Sequence, residues 1–204
     1  MKKFAIGFLL ILLDFNLNFN RFSLNVLPDF VGYWLLMQGM AEMEKENPRF
    51  TSPRPFAIGM AIYTALLWVG NLLGVSGGFV MTVLNLVALA AHFYIAWVLV
   101  LALREVEQCR EADLYGEMLY KRWKILLGIN VALQLLRLLA MAVSIRVVMT
   151  AATILVLVNL IWSFLFVLGW NRSDKLYEEL LAQANRTVQA EEEPLSDTEQ
   201  ETKE

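Results

Sequence analysis

Apolar residues in this chain come in long blocks rather than in the three-and-four rhythm of a soluble amphipathic helix. Six such blocks stand out, at residues 4–17, 28–43, 56–75, 79–103, 123–143 and 147–169. The last four approach the roughly 20 residues that a helix needs to cross a hydrocarbon core about 30 Å thick. Polar stretches separate them, and few charges fall inside them. The pattern predicts an all-α integral membrane bundle of six segments, with residues 1–170 forming one unit.

The first two blocks differ from the rest. The run Phe4-Ala5-Ile6-Gly7-Phe8-Leu9-Leu10-Ile11-Leu12-Leu13 meets Asp14 and then Asn16, Asn18 and Asn20. The chain re-enters at Leu27-Pro28-Asp29, where Pro28 suits a first helical turn and Asp29 complements the helix dipole. About 15 residues per arm give roughly 22 Å, short of a full crossing. The pair reads either as two short spans or as a re-entrant hairpin covered by the other helices. Met1-Lys2-Lys3 before an apolar run imitates a signal peptide, but no small-residue cleavage site follows, so an uncleaved first segment is expected.

The connections carry their own signals. Pro48, Pro53 and Pro55 exclude regular structure from the loop after Met43. Gly77-Gly78 predicts a tight helical hairpin, and Ser144 to Arg146 a second turn. Residues 104–122 are charged and read as a helical link outside the membrane, supported by Glu117 and Lys121 at i,i+4 and broken at Gly116. Ala57, Ala61, Ala65, Gly70 and Gly74 let helices approach closely, for dimerisation or for packing within the chain. Tyr177, Leu180, Leu181, Ala184 and Val188 stripe a predicted amphipathic helix over 171–189, able to lie on the membrane, meet a partner or pack on the 104–122 link. Residues 190–204 hold seven acids against Lys203 alone, and read as a disordered acidic tail.

Composition agrees with a membrane protein: 58% of residues are apolar and the mean hydropathy is +0.52. The net charge of −3 reflects the tail and identifies no partner. The distribution of the 17 Lys and Arg is more informative. With six segments, Arg21 and Arg146 fall on one side, Arg137 lies inside the fifth segment, and all others fall on the side of both termini. The positive-inside rule then places both termini in the cytoplasm. The sequons Asn171-Arg172-Ser173 and Asn185-Arg186-Thr187 face the same side and carry no meaning there. Cys109 is the single cysteine, which excludes an intrachain disulfide and a cysteine metal site. No basic, aromatic-interleaved surface points to nucleic acid.

No phosphate-binding glycine loop, HExxH or nucleophile elbow is present, so neither enzyme activity nor a cofactor is expected. What chemistry there is lies within the segments. On the fifth, Asn130, Gln134 and Arg137 share a face; the fourth carries His92, the sixth Asn159 and the first Asp14. At 1.5 Å per residue from the cytoplasmic ends, Asp14, His92 and Asn159 lie roughly 16 Å deep and Arg137 roughly 20 Å, with Gln134 one turn lower, so four helices place polar groups in one layer. A guanidinium at that depth costs several kcal/mol unless paired. The candidate intramembrane cluster is therefore Asp14, His92, Gln134, Arg137 and Asn159, with Asp14 as the counter-ion of Arg137 and Asp29 as the second choice. As a functional layer it would pass a solute or a proton, since an imidazole titrates near neutrality. As a structural layer it holds helices together by hydrogen bonds, the more common use of such groups. His92, flanked by Phe93, Tyr94 and Trp97, reads as a packing histidine. Tyr33, Trp34, Tyr120, Trp123 and Trp170 read as interface anchors.

The segment Leu27-Pro28-Asp29-Phe30-Val31-Gly32-Tyr33, following an asparagine-rich stretch, resembles one in small multi-pass membrane proteins of Gram-positive bacteria that have no assigned activity. The resemblance covers about the first 40 residues. It implies a bacterial plasma membrane and transfers no catalytic or ligand residue. Together these features predict a polytopic membrane protein that acts through protein contacts of its cytoplasmic helices, with a small-solute or proton transporter as the alternative. The lipid bilayer is the one partner that the sequence names.

Overall fold

The computed structural model describes residues 1–12, 16–19, 22–25, 29–72, 79–139 and 145–201; the side chains of the strand residues and of residues 71–72, 79–81, 137–139, 145–149, 188 and 190–201, Arg137 among them, lie outside that description. The described chain is helical apart from one small hairpin. Helix α1 runs Lys2–Leu12, α2 Asp29–Met43, α3 Arg54–Leu72, α4 Phe79–Arg110, α5 Gly116–Leu139 and α6 Ile145–Glu201. Strands β1 (Asn16–Phe19) and β2 (Phe22–Asn25) pair antiparallel in the register Asn16 to Asn25 and Leu17 to Leu24.

Three expectations are corrected by these bounds. The first apolar segment is not helical as far as residue 17, because β1 begins at Asn16. Asparagine and apolar residues alternate there with period two, which suits a strand and not a helix. The amphipathic helix expected over 171–189 is not a separate element either. It continues the sixth segment without a break, since nothing between Trp170 and Ala190 is a glycine or proline. Helix α6 also extends into the acidic tail as far as Glu201, although Pro194 lies within it.

The connections follow the expected chemistry more closely. Asn47 caps a 3-10 turn at Pro48–Thr51, its side chain accepting from the Arg49 N–H, and Pro55 occupies the first turn of α3. Helix α4 ends at Arg110, and α5 starts at Gly116 as anticipated. Glu111 and Tyr115 bracket the link in left-handed conformation, with φ of 50° and 71°. The Ala112 N–H reaches back to the Glu107 carbonyl at 3.2 Å, closing α4 as left-handed C-terminal motifs do. The Glu117–Lys121 pair forms at 2.9 Å on the exposed face.

The best-buried side chains gather at one end of the bundle, here called the base. Phe4 and Phe8 of α1 pack on Trp170 and, for Phe8, on Phe166 of α6, with ring centroids 5.1–5.8 Å apart. Phe50 of the 3-10 turn stacks on Phe4 at 5.7 Å. Leu99, Leu103, Leu114 and Leu119 complete the cluster. Polar pairs ring it: Lys3 with Glu42 at 2.7 Å, Arg110 with Glu46 at 2.5 Å, Arg49 with Glu105, and the Met1 amino group with Asp174 at 3.4 Å. Tyr33 and Trp170 are buried, at 2% and 0% exposure, so neither is the interface anchor expected; Trp34, at 59%, is exposed.

Away from the base the helices present apolar surface outward. Ile62 and Leu66 of α3, Val87 of α4, Leu135 of α5 and Leu157 and Ile161 of α6 are all more than half exposed. So many large apolar side chains exposed along four helices are unusual on a water-soluble monomer. Two described stretches, Thr82–Arg110 and Thr150–Thr187, are long and apolar enough to cross a membrane. At 11 and 15 residues, α1 and α2 are shorter than a full crossing needs.

Candidate polar site within the bundle

The polar groups that the sequence places at one depth are divided by the structure between two interfaces. The first lies where α1, α2 and α4 meet. There α1 and α2 touch backbone to backbone: a Cβ on Gly32 would lie 2.8 Å from the Gly7 carbonyl oxygen, and one on Gly7 2.9 Å from that of Gly32. Such an approach requires glycine on both helices. It also fixes the next residue, Tyr33, against α4. The Tyr33 hydroxyl lies 3.2 Å from His92 Nδ1 and hydrogen-bonds to it, and the edge of the Phe8 ring faces the imidazole with centroids 6.1 Å apart. His92 is buried, and aromatic rings cover it on two more sides, from Tyr33 and Phe93. An imidazole so enclosed acts as a hydrogen-bonded packing group.

The second interface joins α5 to α6. Asn130 Nδ2 donates to the Leu126 carbonyl and to Asn159 Oδ1, both at 2.9 Å. Both amide hydrogens of Asn130 are thereby used, one to anchor the side chain to its own helix and one to bridge to the next. Nearer the base, Arg122 donates to the Leu165 carbonyl and, at 2.9 Å, to the Tyr115 hydroxyl, holding the same two helices together. Gln134, half-buried one turn beyond Asn130, lines a groove between α4 and α5.

Of the five candidate residues, the structure pairs Asn159 with Asn130, which the sequence placed on the polar face of α5 but outside the cluster. It assigns His92 to Tyr33, read from sequence as an interface anchor. Asp14 and the side chain of Arg137 lie outside the described residues, and with them the expected Asp14–Arg137 pair. Among the described residues no three His, Cys, Asp or Glu side chains converge as metal ligands. The period-four recurrence of polar residues on α5 is the signal that found Asn130. No sequence signal pointed to Tyr33, because its partner is 59 residues away.

A third set of polar groups sits at the base. Glu107 Oε1 accepts from the Leu114 and Gly116 N–H groups at 2.8 and 2.6 Å, capping the start of α5 from the last turns of α4. Burial raises its carboxyl above the ordinary range, against the opposing pull of those two hydrogen bonds. Tyr177 bonds to Glu46, which Arg110 also holds; burial, with the Glu46 carboxylate, pushes the phenol up to about 12. Tyr177, on the stripe anticipated in the sequence, therefore meets Arg110 of the 104–122 link through Glu46. No family model, curated protein or solved structure matches this chain.

Proposed function

We propose that the chain is a multi-pass protein of a bacterial plasma membrane, with both termini in the cytoplasm, that acts through protein contacts of its cytoplasmic helices and not as an enzyme. The observation that carries this reading is the continuity of α6. The helix leaves the apolar bundle, passes the buried Trp170, Ser173 and Asp174, and runs on with residues 182–187 all exposed. An arm held so rigidly at its root transmits a partner's position to the bundle, or the reverse. Leu180 and Leu181 remain half-exposed on it and offer apolar contact. The outward apolar faces of α3 to α6 and the concentration of Lys and Arg on one side support the six-segment arrangement.

A solute or proton path through the polar residues is the competing reading. The Tyr33–His92 and Asn130–Asn159 bonds favour the structural role, since both pairs satisfy each other rather than face an open channel. The test is purification from native membranes in mild detergent, comparing the full chain with one ending at Glu179, which lacks Leu180 and Leu181. That truncation spares the Asp174 and Tyr177 contacts. We expect a stoichiometric partner to be retained by the full chain and lost from the truncated one. Solute-dependent thermal stabilisation that disappears in Arg137→Ala, with no partner in either sample, overturns the proposal in favour of transport.

A further inference from the structure

The groove between α4 and α5 has a feature that the interaction role does not use. It encloses about 510 Å³, the size of a small-molecule site, and is lined almost wholly by apolar groups. It runs along α4 from Leu86 to Trp97 and along α5 from Leu135 to Trp123. The rise along α4 from Leu86 to Trp97, at 1.5 Å per residue, is about 16 Å, or about half of a hydrocarbon core roughly 30 Å thick. That is the depth of one leaflet. The groove opens sideways, between exposed residues such as Leu86, Ala90, Val131 and Leu135.

Its end nearest the base is built differently. Trp97 stacks on Trp123 with centroids 6.5 Å apart, and Trp123 stacks on Tyr120 at 5.9 Å with the rings almost parallel. Two cations then lie over the Tyr120 ring, Arg104 at 5.2 Å and Lys124 at 4.3 Å. The aromatic wall thus leads from the apolar groove to a pair of positive charges. Among the described residues neither cation has a carboxylate within salt-bridge distance. The acids that feel Arg104 are engaged elsewhere, Glu107 with the Leu114 and Gly116 N–H groups and Glu117 with Lys121. Arg104 and Lys124 both stand at this end of the groove without a carboxylate partner among the described residues, a setting that favours an anion, and the apolar groove beside them suits an anion joined to an apolar chain about one leaflet long.

We propose that this groove binds an anionic phospholipid of the cytoplasmic leaflet, one acyl chain lying between α4 and α5 and the phosphate meeting Arg104 and Lys124. The proposal rests on the membrane reading given above. The aromatic pair marks the boundary between chain and headgroup, the level at which Trp and Tyr settle in bilayers. Each cation near an anionic headgroup strengthens binding several-fold, so the pair gives a preference of about tenfold or more over a zwitterionic lipid.

The test uses the delipidated full chain in detergent, titrated with dioleoylphosphatidylglycerol or dioleoylphosphatidylcholine, and reads thermal stabilisation and lipid adducts by native mass spectrometry. The anionic lipid is expected to act at a concentration at least about tenfold lower. The double variant Arg104→Gln, Lys124→Gln should lose that preference, whereas Lys121→Gln, which removes a cation paired to Glu117, should keep it. Ala90→Trp, at an exposed position inside the groove, should block both lipids while leaving the helical content unchanged. Equal action of the two lipids, or a preference that survives the double variant, overturns the proposal. Full competition by millimolar inorganic phosphate also overturns it, since the site would then recognise an anion without its chain. Alkaline extraction of native membranes separates the two levels of inference. Release of the chain into the soluble fraction refutes the membrane reading, whereas retention together with indifference to lipid charge refutes only the groove.

Discussion

Glu107 shows how much one side chain does in a link of few residues. Helix α5 begins with backbone N–H groups that no turn of its own can satisfy, and the carboxylate reaches from α4 to that of Gly116 and to that of Leu114 in the link before it. Glu107→Ala leaves both unbonded and is expected to cost about 1–2 kcal/mol in thermal or denaturant unfolding. Glu107→Gln keeps an acceptor oxygen and sheds the charge that burial disfavours, so it should be near neutral in stability. The pH dependence separates the two. A carboxyl raised in the folded state holds its proton longer there than in the unfolded chain, so stability falls as pH rises from the ordinary value of 4.5 through the raised one. The wild type should show that loss and Glu107→Gln should show less of it. An unchanged pH profile in the glutamine variant refutes the account. At this scale the sequence is legible where the interaction is local. The Gly116 break and the Glu117–Lys121 pair follow from spacing alone. Glu107 and Tyr33 do not, because their partners depend on how the link folds back and on which face of α2 meets α4.

The contact of α1 with α2 is set by glycine. Gly7 and Gly32 let the two backbones touch, and Gly39 leaves room for the Phe4 ring, 2.8 Å from where a Cβ would lie. At Gly32 the nearest obstacles are the Ile11 side chain at 2.6 Å and the Gly7 carbonyl, and the latter cannot rotate away. Gly32→Ala should therefore destabilise the protein by about 1–3 kcal/mol or more through overpacking. It should also weaken the Tyr33–His92 bond by moving α2 off α4. Gly59→Ala, on α3 with nothing within 4 Å, is the control and should stabilise by up to about 1 kcal/mol through helix propensity. Equal effects at the two positions, measured by thermal unfolding in detergent, refute the close-contact account. Gly32 thus gives the Leu27–Tyr33 motif a packing role that its bare resemblance lacked. Ala57 is likewise buried within the chain and Ala61 packs on the core, which favours packing over dimerisation for that part of the small-residue series. Helix ends were harder to read. The asparagine stretch alternates with period two, but a four-residue strand inside an otherwise helical sequence gives a short signal. The continuity of α6 was hidden by its change of character at Trp170, where an all-round apolar helix becomes an amphipathic one without any breaking residue.

In the whole molecule, the tight packing and ion pairs lie at the base, while the outward apolar faces lie away from it. Lys3, Arg49 and Arg110 of the base are among the basic residues that the positive-inside count assigns to the cytoplasm together with both termini. On the orientation proposed above, this charged end is the cytoplasmic one. The single cysteine makes this testable without engineering. Cys109 is exposed in the last turn of α4, beside Arg110 of the base. A membrane-impermeant maleimide should label it in inside-out membrane vesicles, and should leave it unlabelled in intact cells until detergent is added. A second chain, with Cys109 replaced by Ser and Gly77 by Cys, should behave in the opposite way, because the sequence places the hairpin between the third and fourth segments on the far side. Labelling of Cys109 from outside inverts the orientation and removes Arg104 and Lys124 from the cytoplasmic leaflet. Labelling of both positions from the same side refutes the crossing by α4, and with it the count of six segments.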